Sequence, residues 1–258
     1  MRATMHLCGL LLGLLTTCLP APASEPGLLF HAGFDGTLQA ESLARAGEPI
    51  ADQGPEPVFE PGRIGQALVC GPGMALPRYP VQGNLIPASG TVSFWVQPLN
   101  WTPEDPNFHV FFEAGVDRKT GWLILYKYFQ SGWLLLRYAD ERGKVGMATA
   151  GKLGWEPGEW HHIAATWAPH GLLTYVDGEL AARAPTPLVA GDLGETFKLG
   201  DDGWHVPHEG ARTLVDDVRI YAYPLSAAEI RRLSGRGQLT VSRDAQGDQW
   251  HVLLEGIG

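Results

Sequence analysis

The sequence predicts an all-β fold, two antiparallel sheets packed as a sandwich, with one short helix near the C-terminal end. Three observations carry that expectation. Short strand-like runs recur at even spacing, punctuated by Gly, Pro and Asp, and the 258 residues include 33 Gly and 20 Pro. Regularly interrupted short strands of this kind mark sandwiches. Asp177-Gly178 stands between the runs 172–176 and 179–182, and Asp-Gly in that setting is a strong hairpin signal because a type I′ turn needs φ > 0 at both central positions. Finally, 214–233 reads LVDDVRIYAYPLSAAEIRRL, a strand that runs into a helix. Leu225 falls at N′, Ser226 at the N-cap, Glu229 at N3 and Ile230 at N4, which gives a capping box and a hydrophobic staple.

In chain order, strands are expected at 28–34, 65–70, 91–96, 109–113, 122–129, 133–138, 145–150, 160–167, 172–176, 179–183, 197–199 and 214–221. The run 91–97 shows the alternation most plainly. Val92, Phe94 and Val96 fall on one face, Thr91, Ser93 and Trp95 on the other, the period of a strand with one face in a core. The tail 236–258 holds two further strand-like runs, 238–242 and 249–255. The pattern leaves open whether they join the sandwich. No internal repeat or low-complexity tract is present.

Hydrophobic residues make up 45% of the chain and charged residues 18%, enough apolar content for a sizeable core. The formal charge is −9, and no Lys/Arg run exceeds two residues. That argues against nucleic acid and anionic membranes as partners. Arg2, the apolar run 7–19 and Ala21-Pro22-Ala23 have the order of a secretory signal peptide. The expected division is a signal peptide at 1–23, a short linker at 24–27, the sandwich at 28–235 and the tail at 236–258. No later segment has the length to span a bilayer. The alternative to secretion is a lipid anchor on Cys18. With removal of 1–23, Cys70 is the one cysteine left in the chain, and it reads as a small buried hydrophobe.

The segment Trp160-His161-His162-Ile163-Ala164, the hairpin Tyr175-Val176-Asp177-Gly178, the strand 216–221 and the helix 224–230 together resemble the LamG-like jelly-roll domains. These belong to the concanavalin A-like lectin and glucanase superfamily. HAGFDGTL (31–38), GRIGQAL (62–68) and GTVSFWVQP (90–98) fit the same order, so the resemblance spans roughly 28–233. It implies an all-β, antiparallel two-sheet jelly-roll sandwich. It also implies a calcium site formed by Asp216, Asp35 and backbone oxygen from Gly65, with carboxylates and carbonyls as hard ligands. The plainer reading is that Asp35 starts an Asp-Gly turn and Asp216 accepts hydrogen bonds at a strand edge. Asp217 is expected to face solvent beside Arg219, since neighbouring strand residues face opposite ways.

Glucanases of the superfamily carry E-x-D-x-x-E or E-x-D-x-E on one strand; neither occurs here. Catalysis is therefore not assigned, although a glycan-processing enzyme remains the least favoured alternative. Zinc through His161, His162, His170, His205 or His208 is disfavoured because adjacent strand residues diverge. Nine Trp residues suggest aromatic stacking on sugar rings, and Trp101, Trp155, Trp204, His205 and His208 are the candidate ligand-binding residues. For each Trp, the competing reading is a core or loop-end filler. The functional expectation is an exported, non-catalytic binding module for carbohydrate, stabilised by Ca2+. The alternative is an adhesion module for an extracellular protein partner with no sugar site.

Overall fold

The computed structural model describes residues 25–40, 49–50, 54–200, 210–236, 238–243 and 250–255. Strands β1 (Leu28–Ala32), β2 (Phe59–Pro61), β3 (Gln66–Cys70), β4 (Arg78–Pro80), β5 (Gly90–Pro98) and β6 (His109–Gly115) come first. They are followed by β7 (Trp122–Tyr128), β8 (Trp133–Ala139), β9 (Val145–Lys152), β10 (His161–Ala168), β11 (Gly171–Val176) and β12 (Glu179–Ala184). β13 (Thr196–Leu199), β14 (Thr213–Tyr221), helix α1 (Ala227–Leu233), β15 (Gln238–Arg243) and β16 (Trp250–Glu255) complete the order. An eight-stranded antiparallel sheet runs β12-β11-β10-β5-β14-β3-β2, with β1 also paired to β14. A six-stranded sheet, β4-β13-β6-β7-β8-β9, packs against it.

Every strand expected between 28 and 221 is present, most of them shifted by one or two residues. β2 and β4 escaped the sequence reading. Each is three residues long and ends in proline, too short for a period to show. The tail strands β15 and β16 pair only with each other, so they extend neither sheet of the sandwich.

The core follows from the alternation. Val92, Phe94 and Val96 of β5 point inward with Ile163, Ala165 and Trp167 of β10. Phe30, Tyr79, Phe112 and Phe197 interlock as edge-to-face and stacked rings between the sheets, 4.7–5.6 Å apart, the separation at which aromatic pairs gain most. Cys70 is buried and unbridged, as its position in an alternating run implied.

Both local signals hold. Ser226 Oγ accepts from Glu229 N at 3.3 Å, and Glu229 Oε2 accepts from Ser226 N at 2.7 Å. Leu225 and Ile230 share one buried cluster, which is the staple. At the β11–β12 turn, Asp177 has φ of 50° and Gly178 φ of 82°, the type I′ signature. A Cβ on Gly178 would lie 2.4 Å from Ser234 Oγ, beyond the end of α1, so the turn is confined sterically as well as conformationally. Gly178→Val is expected to lower stability by about 1–3 kcal/mol, read as a fall in melting temperature. An unchanged melting curve would show that the turn is not constrained in this way.

Candidate functional site

Strand β14 changes neighbours in mid-course. Residues 213–215 pair with β3, ending at Val215↔Leu68, and residues 218–221 pair with β1, beginning at Val218↔Ala32. Between them the register against β5 shifts from Asp216 to Arg219. Val215 and Val218 both enter the core, so Asp216 and Asp217 both face outward. Asp217 itself has φ of 49°. This is a β-bulge, which places two consecutive side chains on one face.

The bulge corrects the expectation for Asp217. Far from facing solvent, it is buried. His31 Nε2 lies 2.7 Å from its Oδ1, and Arg219 donates to it through Nε at 3.1 Å and Nη2 at 3.0 Å. Burial works against its charge, but the His31 hydrogen bond and the Arg219 guanidinium hold its carboxyl below the usual range. Arg219 also donates to Glu25 Oε2 at 2.7 Å, which ties the start of the described chain to β14.

Asp216 is fully buried. Its Oδ2 accepts from Ile64 N at 2.8 Å, while its Oδ1 is buried with no hydrogen-bond partner. Burial pushes this carboxyl up to about 6; the neighbouring Asp217 charge adds to the shift, and the Ile64 hydrogen bond, with the nearby backbone N–H groups of Asp217 and Arg63, opposes it. Asp35 Oδ1 accepts from Gln66 N at 2.7 Å. Gly65 has φ of 60°, and a Cβ there would lie 1.9 Å from Asp35 Oδ1, so only glycine fits. Gly65 O closes the loop by accepting from Gly62 N at 2.9 Å. Asp35, Gly65 and Asp216 therefore converge on one turn, 62–66, between β2 and β3.

Arg63, carried on that turn, places its guanidinium carbon 4.8 Å above the Trp95 ring. Trp95 is on the outward face of β5, opposite His162, whose ring edge meets the indole at 5.2 Å. Arg63, Trp95, Trp160, His161, Asp177 and Arg236 line an open groove of about 480 Å³ at this end of the eight-stranded sheet. His161 Nδ1 pairs with Asp177 Oδ2 at 3.0 Å, and its ring stacks on Trp155 at 4.6 Å. Asp177 Oδ1 accepts from His162 N at 2.9 Å, so the hairpin carboxylate also fixes one wall of the groove.

The other predicted ligand residues fare differently. Trp101 is 2% exposed and Trp155 3%. Both belong to the main core, and Trp101 donates through Nε1 to Thr213 Oγ1 at 2.8 Å. Neither presents a face to a sugar, so the loop-end filler reading is correct for both. Trp204, His205 and His208 lie outside the described residues. Sequence reading missed Arg63, Trp95 and Trp160 as one site. The available signal was Trp95 itself, a large aromatic in phase with Thr91 and Ser93 on the polar face of a strand.

A family model described as the concanavalin A-like lectin/glucanases superfamily matches residues 75–231. The chain belongs to that superfamily. No sequence match was found among curated proteins. Among solved structures, the superfamily sandwich is similar to the receptor-binding domain of botulinum neurotoxin C/D mosaic serotype, with 15% identity, a TM-score of 0.65, and 83% of this chain and 53% of that chain covered. The binding domain of botulinum neurotoxin DC, solved in complex with SialylT, gives 16% identity, a TM-score of 0.65 and coverage of 86% and 54%. The binding domain of Paraclostridial Mosquitocidal Protein 1 gives 14%, 0.63, 86% and 55%. The chain spans about half the length of these structures, and at such identities the likeness is one of fold.

His162 supplies a pH test of this face. It is 1% exposed, and its Nε2 pairs with Ser93 Oγ at 2.8 Å. Burial pushes its pKa down to about 4 from 6.5, against the pull of Asp177 and Asp217. The unfolded chain therefore takes up the proton first. The stability this residue contributes is fully present above pH 6.5 and is lost as pH falls toward 4, by about 3 kcal/mol. Imidazole NMR titration should find His162 neutral at pH 5; an ordinary midpoint near 6.5 would contradict its packing.

Proposed function

We propose that the chain is an exported, non-catalytic carbohydrate-binding module, braced by a calcium ion at the 62–66 turn. The observation that carries the glycan reading is the groove beside Trp95. It sets the half-buried Trp160 indole, beside the buried Trp95, among Arg63, His161, Asp177 and Arg236, and an aromatic face with convergent polar groups is how sugar rings are held. The neighbouring fold supports a binding role. The neurotoxin DC binding domain was solved in complexes with SialylT and with rat synaptotagmin II. Export rests on the 1–23 segment of the sequence, which lies outside the described residues. No described helix is long and apolar enough to cross a membrane.

The protein-partner reading has its own observation. Val145 and Met147 stand exposed together on one face of β9, and neighbouring exposed apolar side chains suit a protein surface. Glycan-array binding that is lost in Trp160→Ala, at unchanged binding in Met147→Ala, supports the groove. Binding of no glycan by the wild type favours the protein-partner reading.

For calcium, the supporting observation is the buried Asp216 Oδ1 with no hydrogen-bond partner. A carboxylate oxygen in that position suits a hard cation, which would offset its charge. Asp216, Asp35 and the Gly65 carbonyl would hold the ion. Among the described residues no three His, Cys, Asp or Glu side chains group as a metal set, so main-chain carbonyls and water would complete the shell. At calcium about 100-fold above Kd, the folded state gains about 2.7 kcal/mol, or roughly 5–11 °C in melting temperature. Asp216→Asn should abolish that shift. Asp217→Asn should lower stability in calcium and in chelator alike, because it breaks the Arg219 and His31 contacts. Identical wild-type melting with and without chelator would remove calcium from the proposal.

A further inference from the structure

We infer that the Trp95 groove takes an acidic sugar, one bearing a ring carboxylate, and that Arg63 is the residue that selects it. This rests on the glycan-binding reading above and adds the ligand's charge. The carboxylates in the groove are already engaged. Asp177 meets His161 through Oδ2 and His162 N through Oδ1. Glu159 Oε2 accepts from Glu156 N at 3.2 Å and lies 3.6 Å from His161 Nε2.

The two cations of the groove, Arg63 and Arg236, differ: the Arg236 charge already favours the Asp177 carboxylate, whereas Arg63 lies over the Trp95 ring. A guanidinium lying over an indole keeps its edge N–H groups available, and those groups match a carboxylate in a paired, two-hydrogen-bond geometry. The donors left open in the groove are therefore the edge N–H groups of Arg63. A neutral sugar would offer mostly hydroxyls and leave those donors unused; a uronic or sialic acid would fill them while its ring lay against Trp160.

Arg63 is also well placed to discriminate. Its turn is fastened by Asp35 at Gln66 N and by Asp216 at Ile64 N. The guanidinium is thus presented from a rigid base, which lowers the entropy lost on binding. The groove volume, about 480 Å³, lies within the range of small-ligand sites.

The test is tryptophan fluorescence titration of the whole chain with trigalacturonate, 3′-sialyllactose, maltotriose and lactose. The expected result is at least about tenfold tighter binding of an acidic probe than of its neutral counterpart, the size of a charge-assisted hydrogen-bond pair. The acidic probe that binds tighter identifies the source of the carboxylate as uronic or sialic. Arg63→Ala should erase that preference, the ratio of acidic to neutral affinity being the readout, and Arg63→Lys should restore part of it. Arg236→Ala, at the opposite wall, should weaken both acidic probes less than Arg63→Ala does. Equal affinity for acidic and neutral probes, or an acid preference that survives Arg63→Ala, overturns this inference and leaves the glycan reading standing. Binding of no glycan by the wild type, on these probes or on an array, overturns both.

Discussion

The mid-strand exchange of partners along β14 is the constraint on which the rest of this end of the molecule depends. One side of β14 is covered first by β3 and then by β1, two short strands that cannot meet without a gap. The bulge at Asp216 and Asp217 falls in that gap and turns both carboxylates outward. Each then meets a different demand. Asp217 neutralises Arg219 and holds His31, which fixes β1 and the Glu25 end of the chain. Asp216 reaches back to the β2–β3 turn and fixes the start of β3.

Placing Asp216 there is energetically unfavourable in isolation. A buried carboxylate with one satisfied and one unsatisfied oxygen, beside a second carboxylate, is disfavoured both by desolvation and by like-charge repulsion. Folded proteins keep such an arrangement where something else rewards it. The turn it holds is also the platform for Arg63, which covers the buried Trp95 ring from outside. Strand pairing, carboxylate burial and the shape of the groove are therefore one connected arrangement. The second wall has a similar logic. Asp177 closes the hairpin, receives the start of β10 through His162 N, and orients His161, so a turn residue also sets groove chemistry.

How much of this was legible in the sequence depends on the range of the interaction. The hairpin at Asp177-Gly178 and the capping box at Ser226 are local devices, and their geometry follows from residues within three positions. The core face of β5 was equally plain because its period is two. The bulge was not, since nothing in VDDVRIY marks where β3 ends and β1 begins alongside it. Asp217 was accordingly placed on the wrong face. For Trp101 and Trp155 the sequence leaves two readings open, a sugar face or a filler, because it places both in loops; the tertiary fold turns those loops inward, stacking Trp101 on His109 and Trp155 on His161. Asp35, Gly65 and Asp216, by contrast, did come together on one turn, from positions that the family resemblance alone had linked.

The question left at the centre is what meets Asp216 Oδ1. The most direct measurement is a crystal structure grown in calcium, with anomalous data that separate a metal from water. The proposal predicts an anomalous peak about 2.3–2.6 Å from Oδ1, the calcium–oxygen distance, with Asp35 or the Gly65 carbonyl in the same shell. A peak without anomalous signal at ordinary hydrogen-bond distance, or no density beside Oδ1, would contradict it and leave Asp216 as a protonated or water-bound strand residue.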